Sequence, residues 1–208
     1  MNAPIEITTG QMRTFTGRMI NPLKIKITDV DLDDIAQSLS NQCRFTGHGR
    51  SFYSVAQHSV LVAGHVWDLT QSMELTLAAL FHDASEAYLV DLSAPVKHLP
   101  EFKIFREVEE HVQHTIEARF GFEYGIFEHP VIKRADLALC WTEMRDLMGK
   151  DPEPGQEVLN LTIIPLVPKL ARASWFTMLD WLTAGDRDSL LPGRDREYFG
   201  QLPSIVIG

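Results

Sequence analysis

The sequence predicts an all-α protein, a compact single-domain bundle of about five to seven helices. Apolar residues recur at helical spacing along most of the chain, and long runs that alternate in the manner of strands are scarce. The chain has 208 residues, of which 45% are hydrophobic and 23% charged, an ordinary composition for one domain with a well-filled core. We therefore treat residues 1–208 as one domain, with its core at about 30–145 and a C-terminal helix and tail at 157–208.

Most of the predicted helices have a recognisable start or end. Thr28 or Asp29 can cap the first helix, and Ser54 can cap the second. Gly121 can end the fourth helix, and Pro130 can begin the fifth. The predicted helices lie at about residues 31–39, 54–69, 73–88, 101–121, from 130 onward, and 170–184.

The segments outside these helices carry weaker patterns. Residues 24–27 alternate and predict a short strand, with residues 14–18 as its partner. Two prolines between Asp91 and Pro100 prevent one continuous helix there and predict an ordered loop. The tail from Gly185 is rich in glycine, proline and charge, and we expect it to be partly ordered against a partner.

The net charge and the distribution of apolar residues argue against several kinds of partner. A formal net charge of -9 repels a phosphate backbone, so polymeric nucleic acid is not an expected partner. The sequence predicts neither a signal peptide nor a membrane span, so no membrane partner is expected. Cys43 and Cys140 form no disulfide framework, which fits a reducing cytoplasm.

The adjacent residues His82 and Asp83 predict a metal centre. They follow an apolar run at residues 75–81, where a polar pair is costly to bury unless something compensates it. Neutral imidazole and carboxylate can ligate the same divalent cation. Glu86 lies one helical turn after His82, on the same face.

His58 and Asp136 are the other candidate ligands. His58 shares an apolar helix face, where a lone histidine is usually a hydrogen-bonded core residue, and Asp136 lies amid apolar residues of its own helix. The downstream pair favours ligation for both, whereas His65, about 10 Å along the helix from His58, is interpreted as structural. Four other polar residues are expected to be solvated: His111, His114, Glu143 and Asp146.

The order His58, His82–Asp83, Asp136, each in a helical segment, resembles the HD-domain metal-dependent phosphohydrolase superfamily. Two flanking motifs, HDASEA from His82 and DLSAPVK from Asp91 to Lys97, are similar to the branch of bacterial 5′-deoxynucleotidases. Related phage and bacterial enzymes in that branch hydrolyse deoxynucleoside triphosphates. The resemblance covers about residues 30–145.

This resemblance implies roles for the remaining site residues. Arg44 and Lys97 would contact the phosphate, and the ring of Phe45 would pack against the base. The alternatives are a surface salt bridge for Arg44, a core anchor for Phe45 and a solvated lysine for Lys97. Glu86 and Asp91 would be the catalytic acid and base in either order. Their alternatives are a solvated helix face and a helix-end turn.

The implied function is divalent-metal-dependent hydrolysis of a small deoxynucleotide by a metal-activated water. The substrate is either a deoxynucleoside monophosphate or a triphosphate such as dATP. One Mn, Fe, Co, Ni or Zn ion would bind to His58, His82, Asp83 and Asp136, in a homo-oligomer. The alternatives are hydrolysis of a cyclic nucleotide or an alarmone, and a catalytically inactive nucleotide sensor. A sensor has no need of the two carboxylates Glu86 and Asp91, which favours an enzyme.

Overall fold

Seven α-helices and several short 3-10 and π turns together make up most of residues 10–190, the part of the chain that the computed structural model describes. This confirms the predicted all-α class and the expected number of helices. The helices are α1 (Leu32–Asn41), α2 (Val55–Thr70), α3 (Met73–Phe81), α4 (Ala94–Lys97), α5 (Lys103–Phe120), α6 (Pro130–Glu143) and α7 (Pro168–Leu182).

Helix α2 lies at the centre of the bundle and packs against α1, α3, α6 and α7. Its predicted cap is confirmed, because the Ser54 hydroxyl accepts a hydrogen bond of 3.2 Å from the backbone N–H of Gln57. Val55, Val62 and Val66 form an apolar stripe on this helix and are fully buried. His58 lies on this buried stretch, so its imidazole enters the core.

The prediction of a single helix over residues 73–88 is wrong. Helix α3 ends at Phe81, the backbone leaves the helical region at Asp83, and a 3-10 turn follows at Ala84–Ala87. Local helix propensity is overridden by tertiary contacts, because the Gln42 side chain donates to the carbonyl of Glu86 and accepts from the N–H of Asp91. The turn therefore sets the direction of the Asp83 and Glu86 side chains.

The strand predicted at residues 24–27 is also wrong. The only sheet within residues 10–190 pairs β1 (Met12–Arg13) antiparallel with β2 (Met19–Ile20), and residues 14–18 form the turn between them. Two 3-10 turns, Pro22–Lys24 and Ile27–Asp29, occupy the region where the strand was expected. The alternation of lysine and isoleucine does not mark a strand here, because Ile25 is buried as a single anchor whereas Ile27 is exposed.

Several helix boundaries agree with the sequence, and one cap differs. Gly121 ends α5 in the left-handed conformation (φ 65°), and Pro130 begins α6, as predicted. Asp31, and neither Thr28 nor Asp29, caps α1, because its carboxylate accepts from the N–H of Asp33.

Two further features are the exposed face of α6 and the C-terminal tail. Leu137 on α6 is 53% exposed, so the buried face of α6 is narrower than its apolar content suggests. The tail expected from Gly185 lies mostly outside the described residues, which end in a 3-10 turn at Arg187–Leu190. None of the described helices is both long enough and apolar enough to cross a membrane.

Trp175 is the largest fully buried side chain of the core, and it joins α7 to α3 through an edge-to-face contact with Phe81. Truncation to alanine leaves a large cavity, so we expect Trp175→Ala to lower the free energy of unfolding by about 3–5 kcal/mol. Urea denaturation followed by circular dichroism measures this loss. Leu170→Ala, at a position on the same helix that is 53% exposed, is the control and should change stability by less than about 0.5 kcal/mol. Equal effects of both substitutions would contradict the packing described.

Candidate functional site

Three predicted ligands, His58, His82 and Asp83, converge where α2 meets the end of α3. One candidate ligand atom from each lies within 4.8 Å of the other two, and the two imidazole centroids are 5.3 Å apart. The Asp83 Oδ2 atom is 3.2 Å from His82 Nε2 and 3.6 Å from His58 Nε2. This group of two imidazoles and a carboxylate can hold a metal ion.

Asp136, the fourth predicted ligand, is brought to the same place by α6. Its Oδ1 atom lies 3.1 Å from His58 Nε2 and 4.0 Å from His82 Nε2. The four residues come from segments up to 78 positions apart, 136 minus 58, and meet around the two Nε2 atoms. The structure therefore gathers all four residues that the sequence order suggested.

Both Nε2 atoms are buried and lack a hydrogen-bond partner in the protein. Oxygens of Asp83 and Asp136 lie within ion-pair distance of these nitrogens. Unpaired buried nitrogens are costly, and a cation bound between the four side chains would satisfy both at once. The donor set therefore fits a divalent metal.

The other ring nitrogen of each histidine, Nδ1, lies within hydrogen-bond distance of an oxygen acceptor of the protein. His58 Nδ1 lies 2.7 Å from Oε1 of Glu143, and His82 Nδ1 lies 2.7 Å from the carbonyl oxygen of Ala79. Both acceptors require a proton on Nδ1, which directs Nε2 toward the cluster. A held Nδ1–H is the usual arrangement behind a metal-binding histidine.

Glu143 was expected to be solvated, and this is wrong. It is fully buried at the end of α6, where its carboxylate also accepts from the Tyr53 hydroxyl (2.8 Å) and from Arg44 Nε (3.1 Å). Sequence reasoning missed it, although its position seven residues after Asp136 places both on one helix face. That spacing was the available signal.

Asp146 is likewise not solvated. Its carboxylate accepts from the backbone N–H of Ile163 (2.8 Å) and pairs with Arg145, whose guanidinium also donates to the carbonyl of Leu161. These bonds fasten the segment after α6 to the bundle. Asp146 is therefore structural and takes no part in the cluster.

The electrostatics of the cluster keep its carboxylates ionised. Burial alone raises the pKa of Asp83 and Asp136, but His82 beside Asp83 and His58 beside Asp136 lower both pKa values below the ordinary range. Burial and the charge of Arg44 lower the pKa of His58, yet Glu143 and Asp136 outweigh them and raise it to about 9. The two ionised carboxylates suit a cation, which would have to displace the proton that Glu143 and Asp136 stabilise on His58.

Arg44 lies inside the site and is only 11% exposed in its side chain. Its Nε donates to Glu143, and its Nη1 lies 3.6 Å from Asp83 Oδ2. The surface salt bridge weighed as an alternative is therefore wrong, because the ion pair is buried. The phosphate contact stays a prediction.

Phe45, predicted to contact the base, is half-buried and lies 5.5 Å from the Arg44 guanidinium. Phe45 and Thr46 both adopt the left-handed conformation (φ 55° and 53°), which is strained for residues with a Cβ. Such strain persists where the surrounding structure enforces it, often beside functional sites.

Glu86 is 5% exposed, and its Oε2 atom is buried without a hydrogen-bond partner. Burial, and then the charges of Asp83 and Asp91, raise its pKa well above the ordinary value. The alternative of a solvated helix face is therefore wrong. Asp91 is half-buried, and burial raises its pKa as well. Gln42 connects the two residues, since it bonds to the carbonyl of Glu86 and to the N–H of Asp91.

Lys97 ends α4, with its side chain 20% exposed. Its Nζ pairs with Glu109 Oε1 on α5 at 2.7 Å, so the alternative of a solvated lysine is wrong. The ion pair fixes the short helix that follows Asp91. A phosphate contact stays a prediction and would share Nζ with Glu109.

The remaining histidines lie outside the cluster. His65 is half-buried on α2, as expected for a structural residue, and His111 is exposed as predicted. His114 was expected to be solvated, and this is wrong. Its ring stacks on Tyr124 at 3.8 Å and its Nδ1 lies 2.7 Å from Glu117, which in turn accepts from the N–H of Gly125.

Comparison with known proteins places the chain among relatives whose names state no activity. No protein-family profile matches it. Uncharacterized protein YfdR of Escherichia coli is 40% identical over 166 residues, which cover 76% of this chain and 86% of YfdR. Uncharacterized protein RCAP_rcc00048 of Rhodobacter capsulatus is 31% identical over 152 residues, 66% of this chain and 72% of the relative. The chain therefore belongs to the protein family that contains YfdR and RCAP_rcc00048.

Proposed function

We propose that the protein is a divalent-metal-dependent phosphohydrolase of deoxynucleotides, of the HD-domain type. The observation that carries the proposal is the pair of buried, partnerless Nε2 atoms of His58 and His82 beside two ionised carboxylates. The motifs HDASEA and DLSAPVK, which resemble 5′-deoxynucleotidases, supply the substrate class.

One Mn, Fe, Co, Ni or Zn ion would be held by His58, His82, Asp83 and Asp136. When bound, such an ion polarises a phosphoryl group and makes a water molecule more acidic. Because a mixed imidazole and carboxylate set accepts any of these metals, the site does not by itself select one.

Glu86 and Asp91 supply the proton transfers that hydrolysis of a phosphate ester needs. The water loses a proton as its oxygen bonds to phosphorus, and the leaving oxygen gains one as its bond to phosphorus breaks. Burial raises the pKa of both carboxyl groups, so each can hold a proton closer to neutral pH than a solvated carboxyl group can. Arg44 would offset the charge that develops on the phosphoryl oxygens.

Two other functions use the same pocket. A nucleotide sensor would need the metal group but not two buried carboxyl groups beside it, which favours the enzyme. Hydrolysis of a cyclic nucleotide or an alarmone would use the same four ligands, but those enzymes do not share the DLSAPVK flank. We propose further that the enzyme acts as a homo-oligomer on small nucleotides in the cytoplasm, where Cys43 and Cys140 stay reduced.

A nucleotide panel tests the function directly. Purified protein loaded with Co²⁺ or Mn²⁺ is expected to release phosphate from deoxynucleoside monophosphates or triphosphate from deoxynucleoside triphosphates. Phosphate, pyrophosphate and triphosphate release are measured separately, with ribonucleotides and cyclic nucleotides in the same panel. Metal-loaded protein that hydrolyses none of the deoxynucleotides would contradict the proposal, and a preference for cyclic nucleotides would favour the alternative.

Removing a ligand should remove the metal. We expect His58→Ala and Asp136→Ala to lose most of the bound ion, because each deletes one of four proposed donors. Inductively coupled plasma mass spectrometry of protein purified without chelator gives the metal content. His65→Ala, on the same helix as His58 but outside the cluster, is the control and should retain wild-type content. Full metal content in His58→Ala or Asp136→Ala would remove that residue from the ligand set.

Removing a proton-transfer group should slow turnover while leaving metal binding intact. Glu86→Gln and Asp91→Asn keep the shape of each side chain, and each is expected to lower kcat by about 10²–10⁴-fold. Steady-state kinetics with the best deoxynucleotide measures the loss. Glu110→Gln, on the exposed side of α5, serves as the control. Near-normal kcat in a folded, metal-loaded Glu86→Gln or Asp91→Asn protein would exclude that residue from the chemistry.

A further inference from the structure

Glu143 has three buried hydrogen-bond partners and no exposure to solvent. Its Oε1 accepts from the Tyr53 hydroxyl at 2.8 Å and lies 2.7 Å from His58 Nδ1. Its Oε2 accepts from Arg44 Nε at 3.1 Å. Tyr53 and His58 are themselves fully buried, so both bonds to Oε1 are shielded from water.

A buried carboxylate is costly unless charge and hydrogen bonds compensate it. Here the compensation comes from the Arg44 guanidinium and from the hydrogen bonds with Tyr53 and His58. Because Arg44 and Tyr53 both donate to this carboxylate, it acts as an acceptor toward His58 and holds the proton of that ring on Nδ1. The imidazole cannot turn over without breaking this bond, and Nε2 stays directed at Asp83 and Asp136.

The same carboxylate also fixes the direction of Arg44. Because Nε is bonded to Glu143, the terminal nitrogens point onward, with Nη1 3.6 Å from Asp83 Oδ2. Glu143 therefore contacts a proposed metal ligand, His58, and a proposed phosphate-binding residue, Arg44, at the same time. Neither Asp136 nor Glu86 makes a hydrogen bond with Arg44 among the described contacts.

We infer that Glu143 is a positioning residue, which orients His58 for metal binding and Arg44 for substrate through one buried carboxylate. The inference rests on the proposed function and deepens it, since Glu143 would touch neither metal nor nucleotide. A purely structural role would leave metal affinity unchanged once the protein is folded. A positioning role lowers metal affinity and raises the KM for nucleotide in the same variant.

The chain contains a matched control for this carboxylate–histidine pair. His114 Nδ1 lies 2.7 Å from Glu117 Oε2, the same distance as in the pair of His58 and Glu143. Glu117 is also buried, but His114 lies on α5 away from the ligand group. Glu117→Gln therefore removes a buried charge of the same kind without disturbing the proposed metal site.

The test is isothermal titration of metal-free protein with Co²⁺, made on wild type, Glu143→Gln, Tyr53→Phe and Glu117→Gln. Glutamine keeps the size of the side chain but presents an N–H₂ group to a donor, so a bond to His58 or Arg44 is lost. We expect Glu143→Gln to bind Co²⁺ about 10–100-fold more weakly, the usual effect of removing a partner behind a ligand. Tyr53→Phe should fall between it and wild type, and Glu117→Gln should match wild type.

Circular dichroism and thermal melting establish that each variant is folded. Co²⁺ affinity in folded Glu143→Gln equal to that of wild type would overturn the inference while leaving the proposed function standing. If Glu143→Gln does not fold, Tyr53→Phe carries the test, and unchanged Co²⁺ affinity there overturns the inference. Wild type that binds no Co²⁺ overturns it as well.

Failure of the proposed function is a separate outcome. A wild-type protein that binds Co²⁺ tightly, with weaker binding in Glu143→Gln, but hydrolyses no deoxynucleotide would support the positioning role and refute the activity. Where hydrolysis is present, the KM of Glu143→Gln for the deoxynucleotide should rise relative to wild type. An unchanged KM would refute the part of the inference that concerns Arg44.

Discussion

The site depends on the burial of two imidazoles with their Nε2 atoms directed at one point. His58 Nδ1 is hydrogen-bonded to the Glu143 carboxylate, and His82 Nδ1 is hydrogen-bonded to the Ala79 carbonyl. Neither ring is therefore free to reorient. The unsatisfied nitrogens would be a defect in an ordinary core. Beside Asp83 and Asp136 they form a group that could hold a cation, which would compensate both the nitrogens and the negative charge.

The fold serves this convergence. Helix α2 is covered by four other helices, which is why His58 can be buried, and α3 stops at Phe81 so that His82 and Asp83 face α2. Gln42 and the pair of Lys97 with Glu109 then hold the segment that carries Glu86 and Asp91. The polar groups are thus fixed by contacts between distant segments, which is the condition for a site with defined geometry.

Features that depend on residues close together in the sequence could be predicted from local patterns. The all-α class, the starts of α2 and α6 and the end of α5 followed from caps and apolar spacing, and the ligand candidates from the adjacent pair His82–Asp83. Glu143 and the 3-10 turn at Ala84–Ala87 did not follow. Their state depends on contacts with Tyr53, Arg44 and Gln42, more than 40 positions away, and no local pattern encodes such contacts.

We propose that one metal ion binds among His58, His82, Asp83 and Asp136. Anomalous X-ray diffraction at the cobalt edge, from crystals of protein loaded with Co²⁺, locates the ion without reference to activity. We expect a single strong anomalous peak within about 2.0–2.2 Å of both Nε2 atoms and of a carboxylate oxygen of each aspartate. A peak elsewhere on the protein with none between the two imidazoles would contradict it.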